Sequence, residues 1–207
     1  MAISIYKLKP AFIRLLMPLA ARLDRSGVTA NQVTVAACLI SIGYGLLLLW
    51  QPESALLWAL LPVWLFWRMA FNAVDGILAR DFGQKSRLGG LLNEMGDVVA
   101  DAALFIPLAL LPGVNIAAVA IFTWMALLTE FAGVLGLLIG ASRRYDGPLG
   151  KSDRAFCLGL AAVAAASACG WGIEISFALN SGLWICSALM VWTTWNRLKS
   201  ALISKHD

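Results

Sequence analysis

The sequence predicts an all-α integral membrane protein: six transmembrane helices, an N-terminal amphipathic helix lying in the interface, and both termini on the cytoplasmic side. Three observations carry this expectation. Hydrophobic residues make up 60% of the chain and charged ones 14%, with a mean hydropathy of +0.79, whereas soluble domains are about half apolar and about a quarter charged. Apolar runs recur at close to the ~20 residues that a bilayer requires. Lysine and arginine collect on alternate connections, as they do in short cytoplasmic loops.

The stretch Ile5 to Asp24 is interrupted by Lys7, Lys9, Arg14 and Arg22. Leu8, Phe12, Leu15, Leu19 and Leu23 share one helical face with cations on the others, the pattern of an interfacial helix. A first span runs from about Val33 to Trp50, with Thr29, Asn31 or Thr34 available to cap its start. After the turn Gln51-Pro52-Glu53-Ser54, a second span runs from Ala55 to Arg80 and turns polar in its last third. The loop Asp81 to Arg87 leads to a third span, Leu88 to Leu111, and Pro112-Gly113-Val114-Asn115 leads to a fourth, Ile116 to Ala141. A basic, glycine-rich loop, Ser142 to Arg154, precedes the last two spans, Ala155 to Gly172 and Ala178 to Leu198. The whole chain reads as one membrane domain, residues 1–27 forming the interfacial helix and residues 28–200 the bundle.

The net charge of +4 does not point to nucleic acid, because the cations lie on one side. Every Lys and Arg except Arg68 falls at the termini, in the two basic loops or at adjoining helix ends, and the three opposite turns have none. Cys38, Cys157, Cys169 and Cys186 stand singly in apolar runs, without disulfide or zinc spacing. His206, next to the C-terminus, is not a candidate catalyst.

Polar residues inside apolar spans cost free energy, roughly 3 kcal/mol each for charged groups, and usually mark function or a buried pair. On the second span Arg68, Asn72, Asp75 and Ala79 are four, three and four apart, which places them on one face. On the third, Asn93, Asp97 and Asp101 form a stripe at spacing four, with Glu94 beside it. At ~1.5 Å per residue, Asn72, Asp75, Asn93 and Asp97 lie roughly 8 to 15 Å inside the basic loop that joins the spans. Their hard oxygens suit Mg²⁺ or Mn²⁺, and such ions suit phosphates. Arg68, Asp101 and Glu130 lie deeper and are expected to pair with one another.

The pattern D-G-x2-A-R-x8-G from Asp75 to Gly89, followed by N-x3-D at Asn93 and Asp97, resembles the signature of the CDP-alcohol phosphatidyltransferase family, D-x2-D-G-x2-A-R-x8-G-x3-D-x3-D. T-A-N-Q-V-T at the first span is similar to the family's T-P-N-x-x-T. The resemblance implies transfer of a phosphatidyl group from CDP-diacylglycerol to an alcohol acceptor with release of CMP, in a bacterial inner membrane, at a site facing the cytoplasm. It implies that Asn72, Asp75, Asn93 and Asp97 hold Mg²⁺ or Mn²⁺, that Asp97 is the general base, and that Asp75, Gly76, Ala79, Arg80 and Gly89 lie along the nucleotide. It further implies a homodimer among membrane lipids. Asn72 and Asn93 depart from the family's aspartates, which predicts weaker metal binding or a single ion. A member that binds without turnover, or a small transporter, are the other readings.

The loop G-P-L-G-K-S-D-R, Gly147 to Arg154, carries glycines and backbone amides that with Lys151 and Arg154 can cradle a phosphate or an acceptor. The same residues also fit a positive-inside loop against lipid headgroups.

Overall fold

The computed structural model describes residues 8–203, with side chains from Phe12 onward. His206 and the start of the predicted interfacial helix lie outside the described residues. These residues fold into helices α1 (Leu8–Arg25), α2 (Ala30–Trp50), α3 (Ala55–Asp81), α4 (Arg87–Phe105), α5 (Ile116–Leu138), α6 (Lys151–Trp171) and α7 (Ser176–Ile203), with a short 3-10 helix at Ile106–Leu110. Among the described residues there is no strand.

Five helices, α2, α3, α5, α6 and α7, are long and apolar enough to cross a membrane. The protein is integral to one. The predicted third span corresponds to α4 with the 3-10 helix, and it falls short of that measure because Asn93, Glu94, Asp97 and Asp101 crowd its 19 residues. A sixth crossing is therefore not established by length and composition. The last two helices also start earlier than predicted. Asp153 accepts a hydrogen bond from the Gly150 N–H at 2.9 Å, a cap that pulls Lys151 to Arg154 out of the expected loop and onto the first turn of α6.

The chain divides into two compact units, Met1–Ser41 with Val63–Ala100, and Ile42–Pro62 with Asp101–Asp207. In the first, Leu16 and Ala20 of α1 pack in a cluster with Ala30, Val33, Ala70, Val74, Ile77 and Leu78. Phe12 and Leu23 of the predicted stripe lean on this cluster. Leu15 and Leu19 instead stay exposed, as one flank of a helix between protein and lipid requires. Thr29 and Gln32 cap α2 reciprocally: the Thr29 N–H donates to Gln32 Oε1 at 2.9 Å and the Gln32 N–H to Thr29 Oγ1 at 3.3 Å. Gln84, in the loop after α3, ties the unit together, accepting from the Ala30 N–H and donating to Asp24 Oδ1, both at 2.7 Å.

In the second unit Asn115 caps α5 through the N–H groups of Ala117 and Ala118, and Asn180 of α7 accepts from its backbone at 2.7 Å. Trp58 is fully buried and donates its indole N–H to the Pro52 carbonyl at 2.7 Å. Gly45 has no room for a side chain, because a Cβ would overlap the Ala103 carbonyl. An apolar cavity of about 330 Å³ lies among residues that include Leu108, Phe122, Leu158 and Leu183. Cys157 and Cys186 meet beside it with their sulfurs 3.8 Å apart, as free thiols.

Gly147 has φ +121°, and a Cβ there would come within 2.6 Å of Thr193 Cγ2 and 2.7 Å of Thr193 Cα. Gly147→Ala is therefore expected to cost about 1–3 kcal/mol, through backbone strain and overpacking together. A lowered unfolding midpoint in detergent is the measurement that checks it.

Candidate active site

The first unit gathers most of the predicted site on α2, α3 and α4. Asp75 is 7% exposed and accepts a 2.7 Å hydrogen bond from the Thr34 hydroxyl, which fixes the carboxylate rotamer. Of the three cap candidates the cap is Thr29, and Thr34, the last residue of T-A-N-Q-V-T, instead holds Asp75. Asn72 donates its side-chain N–H to Asp97 Oδ1 at 3.3 Å. Arg68, 5% exposed, reaches the same oxygen at 3.6 Å and donates to the Asp97 carbonyl at 3.1 Å. Asp97 is thus oriented from two positions one turn apart on α3. The predicted stripes of α3 and α4 do face each other.

Gly76 and Gly89 have local reasons to be glycine. Arg80 folds back along α3, and its guanidinium lies 3.1 Å from where a Gly76 Cβ would stand. A Cβ on Gly89 would meet Asn31 Oδ1 at 2.6 Å, so this residue lets α4 approach α2. Asn31 is a neighbour of the site that the spacing pattern did not single out. The resemblance of T-A-N-Q-V-T was the available signal, since Asn31 and Thr34 are three apart and share a helix face. Ala79 and Asn93 are half-buried on their helices.

The donor set fits a hard cation in kind, with the carboxylates of Asp75 and Asp97 and the amide oxygens of Asn72 and Asn93. It is short of charge: among the described residues no group of three or more His, Cys, Asp or Glu is placed to hold a metal ion.

The second unit holds an ionic cluster. Arg154 is fully buried and donates to Glu130 Oε1 at 2.7 Å, to Asp101 Oδ2 at 3.3 Å and to the Thr129 hydroxyl at 3.0 Å. Arg143 holds the other Glu130 oxygen at 2.8 Å, and Arg197 lies 3.5 Å from Oε1 while donating to the Thr129 carbonyl. Asp101 and Glu130 share a cation, Arg154, which the sequence placed in a loop. The shift of Arg154 onto α6 is the cause, because a helical position directs the side chain inward where a loop position would have left it in water. Lys151 is half-buried on the same turn.

Apolar helices that carry carboxylates and amides at the spacing Asn72, Asp75, Asn93, Asp97, with Asp75 buried and the others half-buried, define a membrane protein built around a polar motif. The family model described as CDP-alcohol phosphatidyltransferase matches residues 27–195, and the chain belongs to that family. It is 44% identical over 210 residues to inner membrane protein YnbA of Escherichia coli K12, with 99% of both chains covered. A shorter stretch of 97 residues is 36% identical to the phosphatidylinositol phosphate synthase of Mycobacteroides abscessus, covering 47% of this chain and 42% of that relative. Two solved structures share the fold at 22% identity. Both are phosphatidylinositol phosphate synthase PgsA1 of Mycobacterium tuberculosis: with CDP-DAG bound (TM-score 0.74, covering 92% of this chain and 95% of that one), and with manganese and citrate (TM-score 0.70, covering 90% and 88%).

Proposed function

We propose that this chain is an active integral-membrane phosphatidyltransferase that moves the phosphatidyl group of CDP-diacylglycerol to an alcohol acceptor and releases CMP, in a bacterial inner membrane with its site and termini toward the cytoplasm. The observation that carries the reading is the orientation of Asp97 by Asn72 and Arg68, which aims a carboxylate from within the family motif. In this reading Asp97 takes the proton of the acceptor hydroxyl as its oxygen forms a bond to the phosphatidyl phosphorus and the bond to CMP breaks. Asp75, Gly76, Ala79, Arg80 and Gly89 line the nucleotide, and Arg80 offers its guanidinium to the phosphates. Asp75, Asp97, Asn72 and Asn93 would hold Mg²⁺ or Mn²⁺, which when bound neutralises pyrophosphate charge. On the second unit, Lys151 and Arg154 are the residues we propose for phosphate or acceptor contacts.

The test is CMP release by purified protein given CDP-diacylglycerol, Mg²⁺ or Mn²⁺ and a panel of alcohols. Absence of CMP with every acceptor, while nucleotide still binds, would establish instead the non-catalytic reading that Asn72 and Asn93 suggest. Cross-linking in native membranes checks the expected homodimer, which monomeric bands alone would refute.

Asn72→Asp and Asn93→Asp each add one carboxylate to a set that has two. Each is expected to tighten Mn²⁺ binding by roughly tenfold or more, since charge count tunes affinity at hard-oxygen sites. Titration followed by Mn²⁺ electron paramagnetic resonance reads this directly, and an unchanged affinity would place the ion elsewhere.

A further inference from the structure

The apolar cavity of about 330 Å³ is walled mainly by α6 and α7, with Leu108 and Phe122 completing it. Small side chains open it: Ala161 and Ala164 on α6 face Ala178 and Gly182 on α7 across the lining, and a Cβ on Gly182 would meet nothing within 4 Å. Its two ends differ. At one end stand Cys157 and Cys186, whose sulfurs lie 3.8 Å apart. At the other is the turn between α6 and α7, with Ile175 and with Glu174, the one charged residue among the described residues that line it. From Ile175 to Cys186 a helical rise of ~1.5 Å per residue gives a length of roughly 16 Å. Spread over that length, 330 Å³ is a slot with a mean section of about 20 Å², the girth of a single alkyl chain.

A lining of this kind excludes water and takes apolar matter, since a cavity of about 150 Å³ lined by Leu, Ile and Phe already stays dry and binds benzene. In a membrane the apolar matter at hand is hydrocarbon chain. Glu174 sets the other half of the ligand. It is exposed, and hydrogen bonds from Ser176, first from the hydroxyl and then from the N–H at 2.9 Å, hold its carboxyl below the usual range. It is therefore an anion at neutral pH, at the mouth of a hydrocarbon slot, and complements a cation carried on a hydrocarbon chain. We propose that this cavity is a binding site for an amphiphile with one hydrocarbon chain and a protonated amine head, the chain lying between α6 and α7 and the head pairing with Glu174. Every lining residue belongs to the second unit, and the site does not rest on the transferase reading.

The test uses the full chain in phosphatidylcholine nanodiscs, with dodecylammonium as the probe and dodecyl sulfate as its anionic control. Alkylation of each cysteine by N-ethylmaleimide is followed by peptide mass spectrometry. Cys38, on α2 of the first unit, reports any general disturbance of the bilayer. Dodecylammonium is expected to slow alkylation of Cys157 and Cys186 by roughly tenfold at about nine-tenths occupancy, with Cys38 unchanged. In Glu174→Gln the concentration needed is expected to rise about two- to fivefold, the range of an exposed ion pair, and in Gly182→Leu, which fills the slot, the protection is lost. No protection in wild type, or protection by dodecyl sulfate at the same concentration, overturns the proposal. So does equal protection by CDP-diacylglycerol, which would give the slot to a diacyl lipid instead. Should both thiols resist alkylation without ligand, unfolding midpoints of wild type, Glu174→Gln and Gly182→Leu against dodecylammonium replace the rates under the same criteria.

Discussion

Asp97→Asn is expected to lower CMP release by about 10²- to 10⁴-fold, the range that a positioned general base contributes, while leaving the protein folded. The substituted amide keeps the shape of the side chain. Its oxygen still accepts from Asn72, which donates at 3.3 Å, and the backbone carbonyl still accepts from Arg68 at 3.1 Å. Basicity is what the substitution removes. Turnover and an unfolding midpoint measured on the same preparation separate the two effects. Asp97→Ala goes further, because it also leaves the guanidinium of Arg68, 5% exposed, without its 3.6 Å carboxylate contact. Undiminished activity in either variant would remove Asp97 from the role of base.

Arg154→Ala is the substitution with the largest expected effect on stability. Its side chain is wholly buried and neutralises Glu130 and Asp101 together. Truncation removes the Arg154 contact from both carboxylates, while Glu130 keeps Arg143 and Arg197. Removing one partner of a buried ionic cluster costs about 3–5 kcal/mol, because the surviving charge stays out of water without full compensation. A large fall in the unfolding midpoint, or failure to recover monodisperse protein, is the expected outcome. Arg154→Lys should recover part of the loss, since an ammonium supplies the charge but not the planar fork that serves Glu130, Asp101 and Thr129 at once. A midpoint for Arg154→Ala within about 1 kcal/mol of wild type, the value of an exposed pair, would show that the cluster is more hydrated than its burial indicates.

Much of the helical plan was legible because it is written locally. The first long apolar run ends at Trp50 where Gln51-Pro52 breaks it, and the next helix starts at Ala55, as predicted. Asn115, in the predicted turn, is the cap of α5. The motif was legible for the same reason: Asn72 and Asp75, or Asn93 and Asp97, share a face at any helix with 3.6 residues per turn. The start of α6 was not. Gly-Pro-Leu-Gly signals a loop, but the cap formed by Asp153 on Gly150 begins the helix one residue after it. The carboxylate partners of Arg154 were equally out of reach, since Glu130 and Asp101 lie 24 and 53 residues away.

By itself the sequence determined a helical membrane protein, the polar face of each helix and the family whose motif it carries. All of these follow from hydrophobicity and a fixed helical period. Which charges meet was decided only in the tertiary structure, because pairing depends on how far each helix is rotated and how closely backbones approach. Glycines set that approach, as Gly133 does beneath the Arg144 carbonyl and Gly89 beside Asn31. Arg154 holds Glu130 and Thr34 holds Asp75, contacts that no spacing within a single helix encodes.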